Sequence, residues 1–457
     1  MSISYNALTG ALAAQAALNT TSQNIANLQT QGYTRQGTLL SAVGPDAGSK
    51  GPGNGVQVSS LIRFSDSYKT QQLWRSNSDL GAHTQVQPYL TQLEQVMSDD
   101  KSSISSGIDG FFQALNAASG DPTSTPYRQQ VITAAGAMSQ QFNSIYNLTA
   151  NQLISVQQQK TAILPQLNES LAGIANLNAQ IAAVGSLGSN TSALYDQRDQ
   201  LIDSVAQQVA IQVTENADGT RSVSLDSGQP LVSATKAAVV SYDYSSGSPV
   251  LSINFNNTKF VLDDTKVGGQ LGGLSDYTTN TLKPLQQSIA DMANQMSTSI
   301  NNTLAAGADS NGNPGAPLLV FNPSSATGLL EVSSGFQAGQ LAFSSDGTPG
   351  DSGNLQNLIA IRNQPVNLTS VGSVLLGDAD TQLVGKLGIV SQQNQALLNT
   401  ATTVRQQAED DWKSTSGVNQ DEEAINLVEF QNMYQANMKA IQVANTLFDA
   451  TLSMFGN

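Results

Sequence analysis

The C-terminal end of the chain carries an apolar stripe with a seven-residue period, and this stripe limits what the chain can fold into. Between Ser416 and the end of the stripe, every seventh residue is large and apolar: Leu427, Tyr434, Ile441, Phe448 and Phe455. Further apolar residues fall three or four places from these: Phe430, Met438, Ala444 and Leu452. On an α-helix this spacing places the side chains on one face, as in a coiled coil. The sequence therefore predicts a C-terminal helix that needs an apolar partner.

A second stripe with the same period lies at the N-terminal end, in a helix that we predict over residues 4–28. Its members are small or aliphatic: Ala7, Ala11, Ala14, Leu18, Thr21, Ile25 and Leu28. Two such stripes at opposite termini indicate that the chain leaves and returns at the same end of the molecule. We therefore predict a coiled coil made from both termini.

The composition excludes several classes of function. Only 12% of the 457 residues are charged, and a net charge of −15 makes nucleic acid and acidic membrane surfaces poor partners. The chain has no cysteine and a single histidine, so disulfides and thiolate metal sites are excluded. No apolar run approaches the length of a membrane span, and the N-terminus lacks the pattern of a cleaved signal peptide. We expect no cofactor, no metal and no membrane insertion.

Between the termini, the periodicity changes from helical to alternating and back. Helices are predicted at about 66–97, 104–118, 126–184, 277–304 and 381–412, with a kink or break expected at Pro165. Strands are predicted at 38–43, 56–62, 211–214, 222–225, 239–244, 250–255, 259–262, 317–321, 329–332 and 340–343. The segment Asn216–Gly219 has the composition of a hairpin turn.

These segments predict an α+β fold: a discontinuous helical coiled-coil stem made from both termini, with an inserted β-rich outer domain. We predict a terminal coiled-coil core domain (1–35 and 417–457) and a helical stem domain with a β-hairpin (36–208 and 376–416). The remaining residues, 209–375, are predicted to form the β-rich outer domain, with one helix at about 277–304.

Catalytic motifs are sparse. The segment from Asp309 to Val320 begins like a calcium loop, but it lacks glycine at its sixth place and glutamate at its twelfth, so we predict a turn. We expect Asp263 and Asp264 to be solvated and His83 to lie at a surface or interface. No nucleophile is marked by a neighbouring base, and we therefore predict that the chain is not an enzyme.

Several motifs closely resemble the signatures of flagellar axial proteins, which are the rod, hook and hook-associated subunits. The N-terminal motifs are Asn24-Ile-Ala-Asn27, Gly32-Tyr-Thr-Arg35-Gln and Gly53-Asn-Gly55-Val-Gln-Val. The C-terminal motifs are Ser416-Gly-Val-Asn and Asp421-Glu-Glu, followed by the stripe described above. In the middle of the chain, Asp196-Gln-Arg-Asp-Gln-Leu201 agrees with the same family. The N-terminal motif Gly32-Tyr-Thr-Arg35-Gln and the C-terminal motifs that begin at Ser416 are most similar to the hook-associated members.

The resemblance implies a structural subunit between the hook and the filament of a bacterial flagellum, arranged with copies of itself in a helical ring. Its implied partners are hook protein, a second hook-associated protein and a flagellar export chaperone that binds the C-terminal region. It also implies an extracellular location, reached through the flagellar type III channel without a cleaved signal peptide.

The residues expected to carry these contacts lie in the motifs and stripes at the two ends. Those expected to pack between subunits are Leu18, Asn24, Ile25, Asn27, Leu28, Gly32, Tyr33, Arg35, Leu427, Phe430, Tyr434, Met438, Ile441, Phe448 and Leu452. Those expected to bind the chaperone are Ile441, Leu447 and Phe448.

Three alternatives remain open from the sequence alone. The nearest is another axial subunit, such as hook or distal rod protein; the Tyr33–Arg35 and Ser416–Asn419 variants argue against it. The second is an enzyme carried on a flagellar scaffold, with a hydrolase in the β-rich insertion; the missing catalytic constellation argues against it. The third is a cytosolic coiled-coil scaffold, which detection of the protein in sheared flagella would exclude.

Overall fold

The computed structural model describes residues 2–45, 53–187, 189–245, 249–325 and 328–455, with the side chains of Ser2 and Phe455 outside this part. The helices are α1 (Ser2–Ala26), α2 (Ser67–Met97), α3 (Ile104–Ala118), α4 (Thr125–Gly185), α5 (Ser192–Gln208), α6 (Gly269–Asp276), α7 (Lys283–Ala306), α8 (Gly353–Ala360), α9 (Ala379–Ser416) and α10 (Gln420–Phe455). A π-helical segment, Tyr277–Leu282, joins α6 to α7. None of the described helices is long and apolar enough to cross a membrane.

The strands are short and all pair in antiparallel fashion. They are β1 (Gln36–Ala42), β2 (Val56–Arg63), β3 (Ile211–Glu215), β4 (Arg221–Leu225), β5 (Pro230–Ser233), β6 (Lys236–Ala237), β7 (Val239–Asp243), β8 (Val250–Phe255), β9 (Thr258–Val261), β10 (Leu319–Phe321), β11 (Leu330–Val332), β12 (Pro365–Leu368) and β13 (Gly372–Leu375). The sheets have the orders β1-β2, β3-β4-β5-β6, β7-β8-β9, β10-β11 and β12-β13.

Contacts within the chain group its residues into two compact units. The terminal unit contains residues 1–80, 165–262 and 401–457, and the middle unit contains residues 81–164 and 263–400. This grouping differs from the three predicted domains, since residues 209–262 lie with the terminal helices and residues 263–375 lie in the middle unit. The division into core, stem and outer domains therefore stays a prediction about the assembled protein.

In the terminal unit, the sheets β3–β6 and β7–β9 are tied to α4 by two asparagines. Asn178 donates to the backbone carbonyls of Arg221 and Ala234 at 2.8 and 2.7 Å. Asn168 bonds both the N–H and the carbonyl of Val240, at 2.8 and 2.9 Å. The predicted hairpin between β3 and β4 is confirmed, with Gly219 at φ +78° in its turn. These sheets therefore cover helices of their own unit.

In the middle unit, the first half of α4 carries the apolar face that its four- and three-residue steps predicted. The buried members include Val131, Ala135, Met138, Phe142, Ile145 and Val156. Helix α7 is buried along one whole face as well, by Leu285, Ile289, Met292, Met296, Ile300 and Leu304. These side chains form an intramolecular core, as predicted for the 131–163 segment.

The structure corrects two local predictions. A kink or break was expected at Pro165, and the break is absent, because α4 continues as one helix to Gly185. Proline removes one N–H from the ladder, but the flanking Leu164 and Leu167 are buried, and their burial offsets the loss. The strand predicted at 340–343 is also missing, since the end of a 3-10 turn and irregular backbone stand there. Apolar Leu341 and Phe343 are buried without joining a ladder.

Candidate functional site

The two terminal helices pack against each other in antiparallel orientation. A β-carbon built on Gly10 would lie 2.6 Å from the side-chain oxygen of Asn437, so α1 and α10 approach closely there. At the far end of α1, the backbone N–H of Arg35 donates to the carbonyl of Ser416 at 2.8 Å, and the Arg35 guanidinium pairs with Glu422. The chain therefore leaves α1 and enters α10 at one shared corner, as the two stripes predicted.

The face of α1 that meets α10 is lined by small side chains. The buried members are Ala7, Ala11, Ala14, Ala17 and Thr21. The larger members of the stripe predicted on α1 are not fully buried. Leu18 and Leu28 are half-buried, and Ile25 is exposed. Alanine lets two helices approach closely, and bulky neighbours then remain at the edges of the contact.

Helix α1 covers only part of the α10 stripe. The half-buried members of the stripe are Phe430, Tyr434, Ile441 and Ala444. The exposed members are Leu427, Met438, Phe448 and Leu452. Exposure is greatest toward the C-terminal end, where Phe448 is 60% and Leu452 is 55% exposed. The predicted stripe is thus a real face of the helix, but its last turns have no cover within the described chain.

Further large apolar side chains are exposed around this helix pair. On α1 they are Ile3, Tyr5, Leu8 and Leu12. On the β1–β2 hairpin they are Leu39, Leu40, Val58 and Leu61. On α10, outside the stripe, they are Ile425, Val428, Met433, Val443, Leu447 and Met454. Exposed apolar side chains at this density are typical of surfaces that contact other protein.

The corner between α1 and β1 is held by Asn24, which is fully buried. Its amide donates to the carbonyl of Gln36 at 2.9 Å, and its oxygen accepts the N–H of Gln36 at 3.1 Å and the hydroxyl of Tyr33 at 2.9 Å. Burial, together with the charges of Asp196 and Glu423, raises the pKa of Tyr33 to about 12. Tyr33 is therefore a neutral donor, and Asn24 fixes the direction in which the chain leaves α1.

Gly32 makes the turn within this corner. The N–H of Tyr33 donates to the carbonyl of Thr30 at 3.2 Å, and Gly32 has φ +74°, a conformation that favours glycine. A β-carbon on Gly32 would lie 2.7 Å from the side-chain nitrogen of Gln200. Both the backbone conformation and the space beside Gln200 therefore favour glycine at position 32. Nearby, Asn27 makes a local contact, since its side-chain oxygen accepts the Thr30 hydroxyl at 3.1 Å.

An ionic network, which the sequence analysis missed, fastens the corner to α5. The N–H of Thr34 donates to Asp196 at 3.2 Å, and Arg63 pairs with Asp196 at 2.7 Å and with Asp199 at 2.9 Å. Burial lowers the pKa of Arg63, but the carboxylates of Asp199 and Asp196 outweigh this and raise it. Arg221 of β4 also pairs with Asp199. The signal in the sequence was the dense charge around Asp196 in a weakly charged chain.

The residues singled out for chemistry have structural partners. The turn at Asp309 is confirmed, because its carboxylate accepts the backbone N–H groups of Asn311 and Asn313 at 2.7 and 2.9 Å. The expectation that Asp264 is solvated is wrong. Asp264 accepts from the ammonium of Lys160 at 3.0 Å, and a lysine this deeply buried requires a counter-charge.

His83 and the acidic residues offer no metal centre. The Nδ1 atom of half-buried His83 lies 2.8 Å from the side-chain oxygen of Asn394. Within the ranges that the structure describes, there is no group of three or more histidine, cysteine, aspartate or glutamate side chains that could hold a metal ion. The features that call for a functional explanation are therefore the terminal helix pair and its corner.

Comparisons with known proteins identify the family of the chain. The family model described as "Flagellar hook-associated protein FlgK helical domain" matches residues 90–319, half of the chain. The chain belongs to the flagellar hook-associated protein FlgK family. A second family model, "Flagellar basal body rod FlgEFG protein C-terminal", matches residues 414–454, which include almost all of α10.

Relatives in the FlgK family match along nearly the full length. Flagellar hook-associated protein 1 of Salmonella typhimurium is 26% identical over 557 aligned residues, covering 99% of this chain and 100% of the relative. The protein of the same name from Bacillus subtilis is 26% identical, covering 97% and 96%. A solved structure of the flagellar hook junction protein FlgK from Burkholderia pseudomallei matches with a TM-score of 0.51 and 25% identity. That match covers 55% of this chain and 47% of the solved chain.

Membership of the FlgK family makes this chain a structural component of the extracellular flagellum and not an enzyme, as predicted. The α+β fold is confirmed. The corner brings three predicted packing residues, Asn24, Tyr33 and Arg35, together with β1, the end of α9 and the start of α10. Their role between subunits stays a prediction, as does that of the α10 stripe.

Proposed function

We propose that this chain joins the hook to the filament, as a subunit that polymerises into a helical ring through α1 and α10. The observation that carries the proposal is the apolar surface left open by the paired terminal helices, with Phe448 60% exposed and Leu12 56% exposed. Burying one such side chain contributes about 1.5–3 kcal/mol. A face of this kind favours association strongly once neighbouring subunits are aligned.

A junction subunit has to contact two different lattices, and its relatives are named as hook-associated and hook junction proteins. Contacts between different surfaces of identical subunits generate a helical array when they do not close into a ring. In our proposal, copies of this chain fill the ring, hook protein lies on one side and a second hook-associated protein on the other. The corner at Asn24, Gly32 and Arg35 sets the direction in which the terminal helices leave the rest of the terminal unit.

The same apolar surface is a hazard before assembly, because exposed apolar stripes promote aggregation. We propose that an export chaperone covers Ile441, Leu447 and Phe448 until the chain passes, unfolded, through the flagellar type III channel. Leu447 and Phe448 are exposed on α10 and therefore accessible to such a partner. The chain has no cysteine, so no disulfide would oppose unfolding for export.

Gold labelling of purified flagella tests this position directly. Cells that lack their own copy are given this chain with an affinity tag inserted at Gly350, an exposed glycine with open space around its α-carbon. We expect a single label between hook and filament on each flagellum. Label along the whole hook or below it would instead support the alternative of a hook or distal rod protein. Absence of label from intact, motile flagella would contradict an axial role.

A further inference from the structure

The oxidisable sulfur of this chain is unevenly distributed. The chain has no cysteine and eight methionines, so thioethers are its sulfur groups. Met1 lies outside the described residues, and the other methionines fall into two groups. One group belongs to the middle unit and is at most 1% exposed: Met97, Met138, Met292 and Met296. The other group belongs to α10 and is exposed: Met433, Met438 and Met454.

The methionines of α10 lie on the apolar faces of the helix. Met438 belongs to the seven-residue stripe and is 39% exposed. Met433 and Met454 share a second face with Leu447, because intervals of fourteen and seven residues return to the same side of a helix. Met433 is 40% exposed and Met454 is 81% exposed. Both faces through which we propose that α10 binds partners therefore carry thioethers.

Exposure decides which of these thioethers a small oxidant can reach. When hydrogen peroxide oxidises a thioether, a lone pair of the sulfur attacks one peroxide oxygen, an S–O bond forms and the O–O bond breaks. The proton of the transferred oxygen passes to the departing oxygen, which leaves as water. The sulfur loses two electrons and the peroxide gains them. The step requires contact between peroxide and sulfur, which the close-packed core of the middle unit prevents and the surface of α10 allows.

We infer that α10 is the oxidation site of the free chain. Peroxide converts Met433, Met438 and Met454 to sulfoxides, leaves the methionines of the middle unit reduced, and thereby hinders assembly without unfolding the middle unit. A sulfoxide is polar, so it disrupts an apolar contact that methionine would make. The effect on assembly rests on the proposed function. Because assembly would bury these faces, the sensitivity is confined to the stage before it, and sulfoxide reductases can reverse the change.

Peptide mass spectrometry measures the selectivity. The purified full-length chain is treated with hydrogen peroxide, and the gain of an oxygen atom at each methionine is followed with time. We expect the α10 methionines to be oxidised about tenfold faster than the buried ones, because susceptibility follows exposure. In concentrated urea, which unfolds the chain, this difference should disappear. Equal rates in the folded chain would overturn the inference.

Removing the sulfur tests the effect on assembly. A leucine variant, with Met433→Leu, Met438→Leu and Met454→Leu, keeps apolar side chains of similar volume but has no thioether on α10. Cells that lack their own copy produce either this variant or the unmodified chain, and they regrow sheared flagella with and without hydrogen peroxide. The ratio of incorporation with peroxide to that without should fall several-fold for the unmodified chain and should not fall for the variant. General damage by peroxide would lower both ratios.

A second variant imitates the oxidised state without peroxide. Glutamine is polar and similar in length to methionine, so Met433→Gln, Met438→Gln and Met454→Gln together place polar groups where the sulfoxides would form. We expect this glutamine variant to enter flagella several-fold less than the leucine variant. Should the leucine variant not enter flagella, the double variant Met433→Leu with Met454→Leu, which leaves the stripe intact, repeats the peroxide comparison.

The outcomes separate the inference from the function on which it rests. Equal peroxide ratios for the unmodified chain and the leucine variant would overturn the inference and leave the junction role intact. Incorporation of the glutamine variant at the level of the leucine variant would also overturn it. If the unmodified chain were absent from flagella even without peroxide, the proposed function itself would fail, while the selectivity measured on the purified chain would stand.

Discussion

Helices α7 and α10 have the same spacing of large apolar side chains, but they differ in what covers those side chains. In α7 the whole stripe is buried, α8, β10 and β12 are among the elements that contact the helix, and Ile300 is only 1% exposed. In α10 the stripe meets a shorter, alanine-rich helix, and Phe448 remains 60% exposed. Both helices satisfy the same periodic rule, yet one completes a core and the other leaves an open seam.

The difference teaches that periodicity specifies the apolar face of a helix and not the location of its cover. For α7 the cover is encoded in the same chain, in segments that follow it directly. For α10 part of the cover is missing from the described chain, which in our interpretation means that other subunits supply it. Mutations should therefore act on folding in α7 and on assembly in α10.

The largest expected effect comes from placing a carboxylate in each stripe. Ile300→Asp buries an unpaired charge and should destabilise the middle unit by more than about 4 kcal/mol, enough to abolish its cooperative unfolding transition. Phe448→Asp should change the free energy of unfolding of the monomer by less than about 0.5 kcal/mol. It should nevertheless block assembly into flagella and weaken chaperone binding. Urea unfolding and the protein content of purified flagella measure the two effects.

Matched apolar changes control for side-chain size. Ile300→Val should cost about 0.5–1.5 kcal/mol, and Phe448→Leu should still assemble. If Phe448→Asp unfolded the monomer as Ile300→Asp does, the α10 stripe would belong to a folded core and the contrast between the helices would be lost.

A smaller effect is expected from a buried carboxylate in the middle unit. Burial raises the pKa of Asp380 to about 6, although its bond from the N–H of Ser105 opposes this. In the unfolded chain the pKa of aspartate is about 3.9. Between these values the folded protein binds a proton that the unfolded chain does not. The unfolding free energy therefore falls as pH rises from about 4 to about 6, and above pH 6 it stays at the lower value.

Asp380→Asn should remove this pH dependence. The unfolding free energy of the variant relative to the unmodified chain should rise by about 2 kcal/mol between pH 4 and pH 7, because each pKa unit corresponds to about 1.4 kcal/mol and part of the shift falls below pH 4. Urea unfolding at pH 4, 5, 6 and 7 measures the difference, and the comparison cancels the other titrating groups. A difference that stays constant over this range would show that Asp380 is ionised in the folded state throughout.

The smallest of these effects concerns the corner that directs the terminal helices. Gly32→Val forces a branched residue into positive φ and against Gln200, which should cost about 2 kcal/mol in the terminal unit. Assembly into flagella should weaken, while the β3–β6 sheet stays folded. Gly136→Val on α4, where a β-carbon meets open space, is the control and should be nearly neutral. Normal assembly of Gly32→Val would refute the role of the corner.

Much of the fold could be predicted from the sequence because its helices carry clear periodic faces. The hairpin at Gly219 and the terminal pairing followed from turn composition and from the matched stripes. The polar contacts could not be predicted, because Arg63 and Asp196 are 133 residues apart and no local pattern links them. The contact between Lys160 and Asp264 could not be predicted either, because these residues are 104 positions apart and no local pattern links them. The exposure of Ile25 within the chain could not be predicted either, because a heptad pattern does not reveal that alanines bring the helices close and leave larger residues outside.

Hydrogen exchange on the free monomer tests the central claim most directly. A helix whose stripe is covered only in part is marginally stable in water, and ordering it costs conformational entropy. We predict that the backbone amides of Leu427–Leu452 exchange close to the rate of an unstructured chain, while those of Ile289–Leu304 in α7 stay strongly protected. After assembly into flagella, both segments should be protected. Strong protection across Leu427–Leu452 in the monomer, without any partner, would contradict the claim that other subunits complete this seam.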